Sequence, residues 1–406
     1  MKHPITILIL LAVALCLSSC NNQMNSIPDE EMSLKQIIEK YYADRNFTLG
    51  AASKEAYLGK DTALLKVWTK EFHYNTPENY SKQIKIYPYP GAEWGDSTML
   101  QYIELARKNN QVIRLHSPIS PQCSGYIMDD ERTGEEMRTH LIDFTTRFYK
   151  EIENYSDVVL WCDVVNETLV AGQITGCGYF GENDKDVVTY KVGDWFGPRD
   201  GYTWENPWTK LGFDEVMFEG DTITIPKYIP LAFKIATENA PNVKLVFNQD
   251  GNTMDLGLWK KMFQTIRYMR TQGLRVDVVA YQCHVALGWE KDTVNLENLQ
   301  KVIDMAHENN LEFHISELDV MVEQHIEPFL KDNAEHQALR KAQAETVGAI
   351  VEVCLKNIDK GVSGINFWTM AENYWQEGRT FSSLLNADGT PHDSYYRVKE
   401  LLLKYK

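Results

Sequence analysis

Two strand-like runs in this chain each deliver a glutamate. One reads Val158-Val159-Leu160-Trp161-Cys162-Asp163-Val164-Val165-Asn166-Glu167, the other Phe313-His314-Ile315-Ser316-Glu317-Leu318-Asp319. A single glutamate after a strand is usually a helix-start or surface residue. Two of them delivered to one barrel mouth are equipment for cleaving a glycosidic bond: one carboxyl protonates the leaving oxygen while the other stabilises or attacks the oxocarbenium-like carbon. Other chemistries lack carriers. The ten histidines show no His-x-His or His-Glu-x-x-His spacing that would hold a catalytic zinc, and no Gly-x-Ser-x-Gly elbow occurs. Gly176-Cys177-Gly178-Tyr179-Phe180-Gly181 spells a dinucleotide fingerprint, but it neither follows a strand directly nor opens an amphipathic helix. No metal and no cofactor are therefore expected.

Those glutamates need a scaffold. From Ile37 onward, β-rich runs alternate with helical stretches, the pattern of a parallel α/β protein. The expected strands are Phe47–Ala52, Phe72–Tyr74, Val112–His116, Val158–Val165, Lys244–Asn248, Asp277–Gln282, Glu312–Ser316 and Gly364–Trp368. Helical segments such as 97–109, 134–155, 258–272, 296–310 and 335–357 separate them, and Thr133 with Glu136 forms a candidate capping box. Eight strand and helix pairs are the number that closes a (β/α)8 TIM barrel. An open doubly wound sheet would show a Gly-rich phosphate turn after its first strand, and Gly50-Ala51-Ala52-Ser53 is not one. One long interruption follows the fourth strand: residues 172–218, carrying ten aromatics and eight glycines. It reads as a functional loop without helices of its own, lying where a sugar would enter.

The full chain has 406 residues, 41 basic against 57 acidic, for a formal charge of −16. Such a field repels phosphate backbones, so nucleic acid is excluded as a partner. Lys2 and His3 precede an apolar run, residues 5–17, too short to span a bilayer core of about 30 Å. With Leu17-Ser18-Ser19-Cys20 at its end, this run resembles a bacterial lipoprotein signal, which implies lipidation at Cys20. The expected organisation is a signal peptide over 1–20, a tether over 21–35 and one barrel over 36–406. The expected location is the bacterial cell envelope, on an outer membrane's periplasmic or surface face, with the lipid anchor as sole membrane contact. Cys123, Cys162, Cys177, Cys283 and Cys354 remain, an odd number that suggests no disulfide framework.

Asp163-Val164-Val165-Asn166-Glu167 and Ile315-Ser316-Glu317-Leu318-Asp319 resemble the two catalytic motifs of glycoside hydrolase family 10, best known for endo-β-1,4-xylanases. Phe47–Ala52, Thr76-Pro77-Glu78-Asn79-Tyr80-Ser81-Lys82, Gln282-Cys283-His284 and Asn366-Phe367-Trp368 are similar to its first, second, sixth and eighth strand motifs. The resemblance implies a retaining, endo-acting hydrolase of xylan or a related β-glycan, with Glu167 as acid/base and Glu317 as nucleophile, their carboxyls about 5–5.5 Å apart. It implies that His284 donates to Glu317, Asn166 bonds the sugar 2-hydroxyl, and Glu78, Asn79 and Lys82 grip hydroxyls on the non-reducing side. His116 and Gln282 would line the same pocket, and Trp368 and Trp375 would supply aromatic floor and wall. The chain departs from that pattern in three places. A Trp-His pair usual after His116 is missing, Asn248-Gln249-Asp250 stands where Asn-Asp-Tyr is usual, and Trp375 falls one residue early. These departures bear on which β-glycan is cut, and they leave open a hydrolase of another plant or microbial β-glycan or a catalytically weak, glycan-binding surface lipoprotein.

Overall fold

The computed structural model describes residues 27–53, 58, 62–121, 132–170, 193–195, 206–251, 255–321, 334–369, 371 and 384–406. Cys20, Cys123, Cys177 and Trp375 lie outside the described residues, as does most of the 172–218 interruption. Eleven strands occur among the described residues: β1 Thr48–Ser53, β2 Tyr74–Pro77, β3 Val112–Leu115, β4 Val159–Asn166, β5 Phe213–Phe218, β6 Asp221–Pro226, β7 Lys244–Gln249, β8 Val278–Tyr281, β9 His284–Ala286, β10 Glu312–Met321 and β11 Val362–Phe367. Eight run parallel in the order β1-β2-β3-β4-β7-β8-β10-β11, and β11 pairs back onto β1 through Thr48 opposite Gly364. That closes the (β/α)8 TIM barrel. The short β9 extends β8 outward and pairs with the end of β10, His284 opposite Asp319.

The barrel interior is filled. Tyr74, Trp161, Val246, Val278 and Ala280 form a buried cluster separate from the main core. Tyr74 reaches that position because Gly50 has no side chain: a Cβ there would stand 2.3 Å from the tyrosine ring. Above the cluster Arg114, 1% exposed, donates to Asp163 Oδ1 at 2.6 Å and contacts His314 Nδ1 at 3.2 Å. Outside, helices present apolar stripes to the strands. Ser97–Lys108 buries Met99, Tyr102, Ile103 and Ala106 at three- and four-residue spacing. Gly134–Glu153 starts with the Thr133–Glu136 capping box expected from the sequence. Cys162, Cys283 and Cys354 are buried free thiols, and burial pushes each of them up.

Three expectations need correction. First, part of the interruption after β4 is scaffold. Trp208 is fully buried in the core within the short helix Pro207–Leu211, which packs so close to Gly134 that a Cβ there would meet the Lys210 carbonyl. β5 and β6 then form an antiparallel hairpin, pinned outside the barrel by Arg267, which donates at 2.6 Å to both oxygens of Glu219. Second, the segment assigned to a tether is packed from its later residues on: Met32 and Leu34 are buried, and Ser33 caps the helix Leu34–Tyr41. Third, β2 lies later than expected, and β10 runs on through Met321, so Glu317 sits inside a strand.

Candidate active site

Both glutamates stand where the strand ladder is irregular. The pairing of β4 with β7 slips between Asp163 and Val165, and that of β10 with β11 between Ile315 and Leu318. Such slips bend a strand and re-aim its side chains. Glu167, directly after β4, also takes a left-handed backbone with φ 51°. For a residue with a side chain that costs about 1–3 kcal/mol, so surrounding contacts must hold it.

Glu317 is 3% exposed and enclosed by donors. Its Oε1 accepts from Asn248 Nδ2 at 2.8 Å and lies 3.7 Å from His116 Nδ1; its Oε2 lies 3.3 Å from His284 Nε2. Burial alone would push the carboxyl up. The His116 charge, the bonded and charged His284, and the Asn248 amide outweigh burial and hold Glu317 at about 2. His284 is the complement. Burial alone would push its imidazole down, but Asp319 Oδ1, 2.8 Å from Nδ1, and Glu317 on the other nitrogen raise it to about 10. The ring is therefore a cation between two anions through neutral pH. His116 also meets Asp163 Oδ2 at 2.9 Å, which links the mouth to the Arg114–Asp163 pair in the barrel interior.

Glu167 is half-buried and has a neutral partner: Gln282 Nε2 donates to its Oε1 at 2.9 Å. The same Gln282 nitrogen donates to Asn166 Oδ1 at 3.0 Å, and that oxygen also accepts from Asn248 Nδ2 at 2.8 Å. Ser316 in turn donates to Asn248 Oδ1 at 2.6 Å. A run of amides, Gln282–Asn166–Asn248, thus joins the two carboxylates. Asp250 adds a third acid at this edge. Burial pushes its carboxyl up, His284 opposes that, and Glu167 and Glu317 add to it.

Residues 37–196 and 214–401 match the family model described as Glycosyl hydrolase family 10. The chain belongs to glycosyl hydrolase family 10. Its enzyme class is accordingly that of a glycosidase, as the two-carboxylate reading anticipates. Endo-1,4-beta-xylanase A of Caldicellulosiruptor sp. (strain Rt8B.4) is 26% identical over 360 residues, covering 86% of this chain but 45% of the relative. Endo-1,4-beta-xylanase A of Caldicellulosiruptor saccharolyticus is 26% identical over 395 residues, 94% of this chain and 98% of the relative. Among solved structures, native xylanase 10B from Thermotoga maritima superposes with a TM-score of 0.70 at 22% identity, covering 92% of this chain and 98% of that one. Xylanase 10B from Thermotoga petrophila RKU-1 in complex with xylobiose gives 0.69 at 22% identity, with the same coverage. At these identities the structures speak for the fold.

Within this family-10 chain the remaining site candidates fall into two groups. Trp368, at the end of β11, presents its ring edge-on to His116 at 5.1 Å and to His284 at 6.0 Å, so it belongs to the carboxylate cluster. Glu78, Asn79 and Lys82 follow β2 on the same rim: Glu78 is buried, and Asn79 and Lys82 are half-buried. Ser81 ties that turn to the β3 loop by donating to the His116 carbonyl at 2.7 Å. Ser120, four residues after His116, is buried. Sequence reasoning passed over Asn248, Asp319 and Asp163 as site residues. The available signal was polar residues interrupting apolar strands, at Asn248-Gln249-Asp250, just before Val164 and on either side of Leu318.

Proposed function

We propose that the chain is an endo-acting β-1,4-xylanase that works with retention, Glu317 as nucleophile and Glu167 as acid/base. The observation carrying this reading is the contrast around the two carboxyls. Glu317 is locked as an anion by charged donors, whereas Glu167 has a neutral amide partner, and no described residue bonds its Oε2. That Oε2 is free to meet a leaving oxygen. In the first step Glu317 attacks the anomeric carbon as Glu167 passes its proton to the departing oxygen, and a sugar alcohol leaves. In the second step water attacks the anomeric carbon as Glu167 takes its proton, and the ester bond to Glu317 breaks to release the sugar and restore the carboxylate. Asn166, its Oδ1 already occupied, offers Nδ2 to a sugar hydroxyl, and Trp368 offers an apolar face beside the reacting ring. Xylan as substrate agrees with relatives whose names are endo-1,4-beta-xylanases. An uncharged or nearly uncharged polymer also suits a chain of charge −16.

Product release is measured on xylo-, gluco- and manno-oligosaccharides for the wild type and Glu317→Gln. Xylo-oligosaccharide cleavage that falls by about 10⁴-fold or more in the variant is expected. Cleavage of gluco- or manno-oligosaccharides alone refutes the xylanase reading, and unchanged turnover in Glu317→Gln refutes its role as nucleophile. We propose further that the chain is exported and anchored by lipid at Cys20 of the bacterial envelope. Fatty-acid labelling in cells that is lost in Cys20→Ser is the expected result, and equal labelling of both sinks the anchor.

A further inference from the structure

The residue that aims Glu167 sits on a neighbouring strand. Gln249, the last residue of β7, is fully buried and makes five hydrogen bonds through one amide. Its Oε1 accepts from the Thr168 N–H at 2.9 Å, the Leu169 N–H at 3.0 Å and the Thr168 hydroxyl at 3.1 Å. Its Nε2 donates to the Leu169 carbonyl at 2.8 Å and to the Asp250 carbonyl at 2.7 Å. The first four bonds close on the two residues directly after Glu167, where the backbone leaves its left-handed turn. Gln249 is itself fixed: its carbonyl accepts from the Gln282 N–H at 3.1 Å, and Gln282 is the residue that bonds Glu167 Oε1.

We infer that Gln249 is the positioning residue for Glu167, clamping the turn after it so that its carboxyl faces the leaving oxygen. The inference rests on the acid/base reading of Glu167 and adds a residue that does not touch substrate. An aspartate, usual here in the resembling pattern, can accept from the two N–H groups, but its carboxylate cannot donate to the Leu169 carbonyl. An amide pairs with both the N–H and the C=O of Leu169. A buried turn whose N–H and C=O groups lose such a partner must shift to regain one. A shift of about 1 Å at an acid group has its cost in proton transfer.

A consequence separates positioning from mere folding. Substrates whose leaving group is a strong acid depart without a proton, whereas sugar alcohols do not. The test measures kcat/KM on unsubstituted xylo-oligosaccharides and on aryl β-xylobiosides with phenols of pKa from about 4 to about 10. It compares wild type, Gln249→Leu, Gln249→Glu and Glu167→Ala, with thermal midpoints recorded for each. For Gln249→Leu a loss of about 100-fold on the oligosaccharide and less than about 3-fold on the most activated aryl glycoside is expected. Gln249→Glu keeps the acceptor and should fall between, which preserves the test if the leucine variant unfolds. Equal losses on all substrates, or no loss on any, overturn the clamp. Glu167→Ala keeps the two failures apart. Leaving-group selectivity in Glu167→Ala without it in the Gln249 variants overturns the clamp alone, and its absence in Glu167→Ala overturns the acid/base reading and the clamp with it.

Discussion

Glu317 and Glu167 are the same residue type on one barrel rim, held in opposite ways. Glu317 lies within a strand, buried, with a histidinium whose own charge is sustained by a second carboxylate, Asp319. Glu167 lies just past a strand, half-buried, on a left-handed turn, with only an amide at its Oε1. The difference teaches that role is assigned by surroundings. A carboxyl enclosed by fixed positive charge is held as an anion, and one bonded only to an amide lacks that hold.

The comparison breaks most visibly at His284. His284→Ala leaves the His116 charge and the Asn248 amide but removes one charged donor that holds Glu317 down, so kcat should fall by about 10²–10³-fold, as for loss of one pre-aimed donor. The acid limb of the rate profile should then move up from about 2 toward the ordinary glutamate value of 4.5, because burial is left with less opposition. A rate profile over pH checks both. The signs for stability follow from the same values. Glu317, depressed when folded, contributes above pH 4.5 and loses its contribution as pH falls through about 2. His284, raised when folded, contributes below pH 6.5 and loses it as pH rises through about 10. The gap in melting temperature between wild type and variant is therefore widest from pH 4.5 to 6.5, and a gap that grows toward pH 10 contradicts the assignment. A smaller effect belongs to the other side. Gln282→Ala takes one amide hydrogen bond from Glu167, worth about 1 kcal/mol, so about a 5- to 10-fold drop in kcat is expected. A drop as large as that of His284→Ala erases the contrast.

Much of this architecture is legible in the residues. Apolar runs such as Val158–Val165 announced the parallel strands, Thr133 and Glu136 announced the start of their helix, and the two glutamates announced the mouth. What stayed hidden depends on partners distant in sequence. Asn248 looks like any polar strand end until Asn166, Ser316 and Glu317 close around it from two other strands. Trp208 reads as one of ten aromatics in a functional loop, yet its helical turn is folded against Gly134 and its ring is core. Met32 and Leu34 sit in a polar stretch whose packing only the finished barrel supplies. Burial pattern along a chain foretells which face an element covers, but not which aromatic residue of a long insertion the core will claim.

The tyrosine admitted by Gly50 has a further effect. With Trp161 and the aliphatic residues of two more strands it packs the barrel interior with side chains, so the barrel is a filled core and not a pore. A long polymer cannot thread such a vessel lengthwise. On the endo-acting reading proposed above, it would lie across the rim as a rod across a cup, and both halves of a severed chain would lift away on the side from which the intact one arrived.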